Sequence, residues 1–326
     1  MTILVTGAAG FIGYSVAFSL LERGDRVVGV DNVNNYYEVQ LKEARLARLN
    51  QHDDFRFVRA DVGDPSAMRD IAAEFGPFKR IVHLAAQAGV RYSLENPMAY
   101  IESNLVGHAC VLELCRHTEG FEHLVYGSSS SVYGGNANVP FSTEHRVDRP
   151  ISLYAATKAA DELMSHAYSH LYDVPQTGLR YFTVYGPWGR PDMALFRFTD
   201  AILNDRPIRV FNYGDMRRDF TYIDDVVDGT LRALDRPLFR SNRHPPHRVF
   251  NLGNNRAESL LDVIDVLEET LGRKAEKRLE PIQPGDVPET YADISAAARE
   301  IGYAPKTTVK EGIPRFVDWF REYHGC

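Results

Sequence analysis

Ile3-Leu-Val-Thr-Gly7-Ala-Ala-Gly10-Phe-Ile-Gly13 is the stretch that decides the fold. Its apolar start reads as a strand that breaks at Thr6-Gly7. A helical pattern follows from Ile12 to Arg23, with Ile12, Val16, Leu20 and Leu21 at helical spacing, and Gly24-Asp25 ends it. Glycines at 7, 10 and 13 permit a tight turn, close approach of backbone to a pyrophosphate, and close packing of helix on strand. The helix N-terminus then offers unpaired N–H groups and a positive dipole end to phosphate. Glycine turns of this kind also occur for packing alone. Here a second β-rich run, Arg26–Val30, ends at Asp31, 18 residues beyond Gly13. An acid there is placed to bind both hydroxyls of an adenosine ribose. It also repels a 2′-phosphate, and Asn32 rather than an arginine follows it, so the reading is NAD and not NADP.

Working outward, further apolar runs lie at Phe55–Val58, Ile81–Leu84, His123–Tyr126 and Thr177–Phe182, with helical segments between them that include Pro97–Arg116 and Tyr154–Tyr172. Strands alternating with helices predict βαβ units: an α/β fold with a Rossmann-type doubly wound parallel sheet. After about residue 186 the texture changes. Pro187, Pro191, Pro207, Pro237, Pro245, Pro246, Pro281, Pro284 and Pro288 cut the chain into short elements. The expected division is a cofactor domain over 1–180, completed by a strand near 249–252, and a smaller α+β substrate domain over 181–326. The chain's 326 residues, 44% of them hydrophobic and 25% charged, suffice for two such cores.

The net charge of −7 argues against nucleic acid or an anionic membrane as partner. It does not argue against a nucleotide. Arg180–Arg218 holds seven arginines and four aspartates, a local excess of +3. No apolar stretch long enough for a membrane helix occurs, no secretory leader is read, and Cys110, Cys115 and Cys326 form no metal-like pairing. A cytoplasmic location without a bound metal is expected.

Tyr154-Ala-Ala-Thr-Lys158 opens a predicted helix, where residues four apart share a face. An ammonium at Lys158, together with an oxidised nicotinamide, would stabilise a phenolate on Tyr154. A phenol ordinarily titrating near about pH 10 could then act as a base near neutrality. The spacing alone also fits an ordinary amphipathic helix. Upstream, Gly127-Ser-Ser-Ser-Ser-Val-Tyr-Gly134 follows the His123–Tyr126 strand, where open α/β sheets bind ligands. A serine run by itself reads as a polar loop. The ordered set of glycine turn, Asp31, serine strand end and Tyr-x-x-x-Lys is far more specific than its parts.

Those segments resemble the extended short-chain dehydrogenases/reductases acting on nucleotide sugars, over essentially the whole chain. Within them the sequence is most similar to the UDP-glucuronate 4-epimerases. Asn34-Asn-Tyr-Tyr37, His83-Leu-Ala-Ala-Gln-Ala-Gly-Val-Arg-Tyr92 and Leu179-Arg-Tyr-Phe-Thr-Val-Tyr-Gly-Pro-Trp-Gly-Arg-Pro-Asp-Met193 carry the likeness further. The resemblance implies Tyr154 as base, Lys158 as its partner, and Ser129 as the hydroxyl on the sugar 4-oxygen. Around NAD it implies Gly7, Gly10, Phe11, Ile12 and Gly13 at the pyrophosphate, Asp31, Asn32 and Asn35 at the adenosine ribose, Asp61 and Val62 at the adenine, and Leu84, Ala85 and Ala86 along the nicotinamide side. Around a UDP-sugar it implies Arg218 and Arg190 at the diphosphate, Asp286 at the ribose and Phe211 near the uracil. Arg91 is a further candidate from the loop after the fourth strand, and a homodimer is expected by analogy.

The sibling chemistries separate on the residues after Ser129. Dehydratases of this kind carry acids at the next two positions and decarboxylases a glutamate at the second. Here they are Ser130 and Ser131, which leaves 4-epimerisation. A 4-keto uronate tends to lose carbon dioxide, so its carboxylate must be held by neutral donors. Ser129, Ser130, Ser131 and Thr183 are suitable, and galactose-type epimerases have Asn at the position of Thr183. The alternatives are an epimerase of UDP-glucose or UDP-N-acetylglucosamine, a UDP-glucuronate decarboxylase, or a non-catalytic NAD-binding regulator. His166, His170, His244 and His247 lack the ordered partners of a metal site, and Tyr36-Tyr37 and Trp319-Phe320 read as packing.

Overall fold

Seven parallel strands form one sheet in the computed structural model, which describes residues 1–239, 241, 244–283 and 285–326. Pro284, counted above among the chain-breaking prolines, lies outside the described residues. Six strands come from the first 181 residues: β1 (Thr2–Thr6), β2 (Arg26–Asp31), β3 (Phe55–Arg59), β4 (Arg80–His83), β5 (His123–Ser129) and β6 (Gln176–Tyr181). The strand His247–Leu252 returns from the second half to pair with β6, so the sheet order is His247–Leu252, β6, β5, β4, β1, β2, β3. All neighbours are parallel. Buried on both faces, the central strands read as the continuous apolar runs seen in the sequence. The order reverses between β1 and β4, and ligands bind at such a reversal, beyond the carboxyl ends of the strands.

β5 runs further than its apolar residues indicate. Ser128 and Ser129 pair in register with Arg180 and Tyr181 of β6, because Ser128 finds a buried partner in Glu162. The helix expected over Pro97–Arg116 is built in pieces: a turn at Pro97–Tyr100, a π-turn at Ile101–Val106 and an α-helix at Gly107–His117. The wider π-turn carries Asn104, whose buried amide donates to Gln87 O (3.1 Å) and Thr157 Oγ1 (2.9 Å) and accepts from Gln87 N (2.8 Å).

Beyond β6 the strands are short. β7 (Thr183–Tyr185) pairs with Phe220–Tyr222, Arg217–Arg218 lies between Glu258–Ser259 and Glu289–Thr290, and Ile208–Val210 pairs with Lys277–Leu279. Asp219 ties these pieces together. Its buried carboxylate accepts from the backbone N–H of Asn254 (2.5 Å), Ala292 (3.0 Å) and Asn255 (3.1 Å) and from the Thr221 hydroxyl (2.9 Å). Burial nevertheless pushes its carboxyl up to about 6. The final helix, Val309–His324, starts in a Thr308–Glu311 capping box and packs Phe316, Trp319 and Phe320 against Phe196. Among the described residues no helix is long and apolar enough to cross a membrane.

Candidate functional site

One cleft opens at the reversal point, and the glycine turn forms its floor. Gly7 has φ 73, and a Cβ there would lie 2.7 Å from Ala85 N, so only glycine lets β4's exit cross the turn. A Cβ on Gly13 would lie 2.0 Å from Gly7 O, which keeps the helix α1 (Phe11–Glu22) tight against the strand. α1 has neither a side-chain cap nor an acid in its first turn. Its leading N–H groups are therefore left for an anion. Gly7, Gly10, Phe11, Ile12 and Gly13 all line the cleft.

At the end of β2, Asp31 accepts from Val33 N (2.8 Å) and Ala9 N (3.0 Å), and these two bonds hold it in the cleft wall. A carboxylate has about four lone-pair sites, so acceptor capacity remains for a ribose diol. Asn32 also lines the wall and donates to Asp61 Oδ2 (2.9 Å), which sets Asp61 and Val62 beside it. Asn35 does not take the place expected of it. Val33 has φ 51, the chain turns there, and Asn34 faces the cleft while Asn35 is exposed. Asn34 receives the ammonium of Lys42 through its backbone oxygen (2.9 Å) and its Oδ1 (2.8 Å). Burial pushes the Lys42 ammonium below its ordinary pKa, although Asp31 pulls the other way.

Leu84, Ala85 and Ala86 line the next section of wall. Beyond them Ser129 ends β5, and the helix Leu153–Tyr172 brings Tyr154 and, one turn on, Lys158 into the same cleft. Ser152 caps that helix by accepting from Ala155 N (3.1 Å). Ser131 N donates to Ser129 Oγ (3.2 Å), which leaves the serine proton free to be given elsewhere. Lys158 Nζ donates to Gly127 O (2.9 Å) and to Asp161 Oδ2 (3.0 Å). Ammonium has three donors, so one remains for the cleft. Behind the site, His83 and His108 are fully buried and stacked, with ring centroids 5.3 Å apart. Burial keeps both neutral, the nearby Lys158 adds to the effect, and His108 is lowered to about 3.

Arg190 lines the cleft and is paired with Asp192 (Nε–Oδ1 3.0 Å), which also accepts from the Tyr36 hydroxyl (3.2 Å). Ser130, Ser131 and Thr183 follow wall residues in the chain but are not themselves in the wall. A second cluster forms outside it. Arg91 lies 4.5 Å above the Phe211 ring and 3.0 Å from Asp286, and Arg218 donates to Val287 O (2.6 Å) and Pro288 O (2.9 Å). Burial lowers the Arg218 pKa against the pull of Asp286. Arg91, Phe211, Arg218 and Asp286 are thus brought together from four separate segments.

Tyr36 and Tyr37, read as packing, both line the cleft, as does Lys42. The available signal was Lys42 and Arg45 sitting on the apolar face of the helix Val39–Leu49, beside Leu41, Leu46 and Leu49. Arg45 is wholly buried and donates to Ala9 O (2.8 Å), the Tyr37 hydroxyl (2.7 Å) and Trp188 O (2.6 Å).

The family model described as "NAD dependent epimerase/dehydratase family" matches residues 3–253. The chain belongs to that family. A probable UDP-glucuronate 4-epimerase of Rhizobium meliloti is 47% identical over 98% of this chain and 97% of its own length. Protein CapI of Staphylococcus aureus is 48% identical over 99% of both chains. The crystal structure of a UDP-glucuronic acid 4-epimerase from Bacillus cereus, in complex with UDP-glucuronic acid and NAD, superposes with a TM-score of 0.90 at 34% identity, covering 99% of this chain and 100% of that one.

Proposed function

We propose that the protein is an NAD-dependent UDP-glucuronate 4-epimerase that interconverts UDP-glucuronate and UDP-galacturonate. The observation that carries this reading is a single cleft lined at one end by the glycine turn and Asp31 and at the other by Ser129, Tyr154 and Lys158. The likeness to named UDP-glucuronate 4-epimerases selects the sugar. NAD fits the donor set: uncapped helix N–H groups for its diphosphate, Asp31 for a ribose diol, and Lys158 beside Tyr154 for the other ribose. When bound beside Tyr154 and Lys158, NAD would supply reversible hydride transfer at C4 of the sugar.

The protein's own share is proton handling and positioning. Tyr154 takes the proton of the 4-hydroxyl as the C4–H bond breaks, and gives it back when the 4-keto sugar is reduced. Lys158 offsets the negative charge on the tyrosine oxygen, and Ser129 donates its free proton to the sugar 4-oxygen. Ser130 and Ser131 supply no acid, so neither elimination nor decarboxylation has a participant there. Residues 1–180, completed by the strand His247–Leu252, hold the cofactor in this reading, and the rest of 181–326, joined by Arg91, grips the nucleotide. Arg190, Arg218, Asp286, Phe211 and Arg91 serve that grip while the sugar turns. Ser129 in the wall, with Ser130, Ser131 and Thr183 one or two residues beyond wall positions, supplies neutral hydroxyls for a uronic acid in this reading. A second copy of the chain covers the exposed apolar side chains Leu94, Met98, Val106, Leu163 and Leu171. Tyr154→Phe tests the chemistry: turnover should fall by roughly 10² or more while NAD stays bound. Full activity in that variant would end the assignment of the base.

A further inference from the structure

Asp161 is the one acid that touches Lys158 among the described residues. It lies three residues on, on the inner face of the same helix, with its side chain 2% exposed. One carboxylate oxygen accepts from Lys158 Nζ at 3.0 Å. The other, Oδ1, is buried with no hydrogen-bond partner. A structural ion pair in a dry site is ordinarily satisfied on both oxygens, because an unpaired buried acceptor is costly. The carboxylate here is held by the lysine alone, and the lysine in turn faces Tyr154's end of the cleft.

The surroundings make that contact the dominant one. On the same helix Glu162 adds negative charge, but Arg180 of β6 takes it in a two-pronged pair (2.8 and 2.7 Å). Tyr126 of β5 faces Asp161 as a neutral phenol that burial keeps protonated. His108, from the helix Gly107–His117, faces it as well, and His83 of β4 stands behind His108; burial holds both uncharged. Lys158 is therefore the single cation bonded directly to Asp161 among the described residues. Burial pushes the Asp161 carboxyl up to about 6, with Lys158 opposing and Glu162 adding to the rise.

We propose that Asp161 is a positioning residue for the reaction: acting through Lys158, it sets how strongly the ammonium stabilises charge on Tyr154. An ionised Asp161 keeps Lys158 charged in a buried place and at the same time offsets part of that charge as felt at Tyr154. The inference rests on the reading of Tyr154 as the base.

The test is the pH profile of kcat for UDP-glucuronate in Asp161→Asn and Asp161→Glu, with Tyr154→Phe as control. Asp161→Asn keeps an acceptor for Lys158 and removes the charge. Its acid limb should move down by about one pH unit, because the charge that offsets the Lys158 ammonium is gone and the phenolate feels that ammonium in full. Its basic limb should move down too, because the ammonium has lost its anion. KM should stay within about twofold, since the carboxylate does not line the cleft. Asp161→Glu, which keeps the charge, should restore the parent profile. If Asp161→Asn fails to fold, Asp161→Ser, with room for a water beside Lys158, takes its place. A neutral variant that retains NAD and keeps the parent limbs overturns the proposal while leaving the tyrosine reading intact. An active Tyr154→Phe overturns both.

Discussion

Replacing Arg180 by methionine strands a buried carboxylate directly behind the serine end of β5. Arg180 is 4% exposed and Glu162 7%, and they share bonds of 2.8 and 2.7 Å. Arg180 also donates to the Tyr133 hydroxyl (2.9 Å), which itself donates to Asn251 Oδ1 (2.6 Å) on the returning edge strand. In Arg180→Met, Glu162 keeps only the Ser128 hydroxyl at 2.6 Å. The three hydrogen bonds donated by the charged guanidinium are lost, two to Glu162 and one to the Tyr133 hydroxyl, each with a net worth of about 1.5–3 kcal/mol. What an unfolding experiment reads is the penalty of the unpaired charge, about 3–5 kcal/mol. Adding Glu162→Gln removes that charge, and the double variant should regain stability to within about 1–2 kcal/mol of the parent. Urea unfolding of the parent, both single variants and the double variant at neutral pH gives all four corners. A loss below about 1 kcal/mol in Arg180→Met, or a double variant no better than that single, would refute the reasoning.

Glu268 controls acid stability in the second half of the chain. Its side chain is 1% exposed. Burial works against its charge, but Lys274, Lys277 and the Ala275 N–H outweigh it and hold the carboxyl down to about 2 from its ordinary 4.5. The folded state binds that proton less readily than the unfolded chain. This contribution is therefore complete above pH 4.5 and is lost as the pH falls from there toward 2. Glu268→Gln should be less stable than the parent at neutral pH and lose less between pH 5 and 3, as read by thermal unfolding; parallel curves would contradict it. Light scattering of the purified chain should give twice the 36.8 kDa chain mass, and Leu163→Glu/Leu171→Glu should give one chain mass. A parent monomer would remove the dimer from the account.

The features that were legible in the sequence are those whose chemistry is local. Gly7, Gly10 and Gly13 lie within one turn, Asp31 ends the next strand, and Tyr154 and Lys158 share one helical face. What was hidden depends on register and on distant segments. Ser128 opposes Arg180 only because β5 pairs with β6 in that register, and Glu162 joins both from a helix. The context of the serine run places it at a strand end, but the buried partners that extend the strand through Ser129 were not legible. Asn34 lines the cleft and Asn35 is exposed because of the backbone turn at Val33, which no residue type announces. Arg91 meets Phe211 and Asp286 across more than a hundred residues of chain, so its spacing carried no signal.

Incubating the purified protein with UDP-glucuronate, without added NAD, and following the sugar by proton NMR decides whether the cleft epimerises C4. UDP-galacturonate should appear and reach equilibrium with the substrate, with no carbon dioxide and no net NADH formed. A UDP-pentose product, or unchanged UDP-glucuronate with cofactor verified in the protein, would contradict the account.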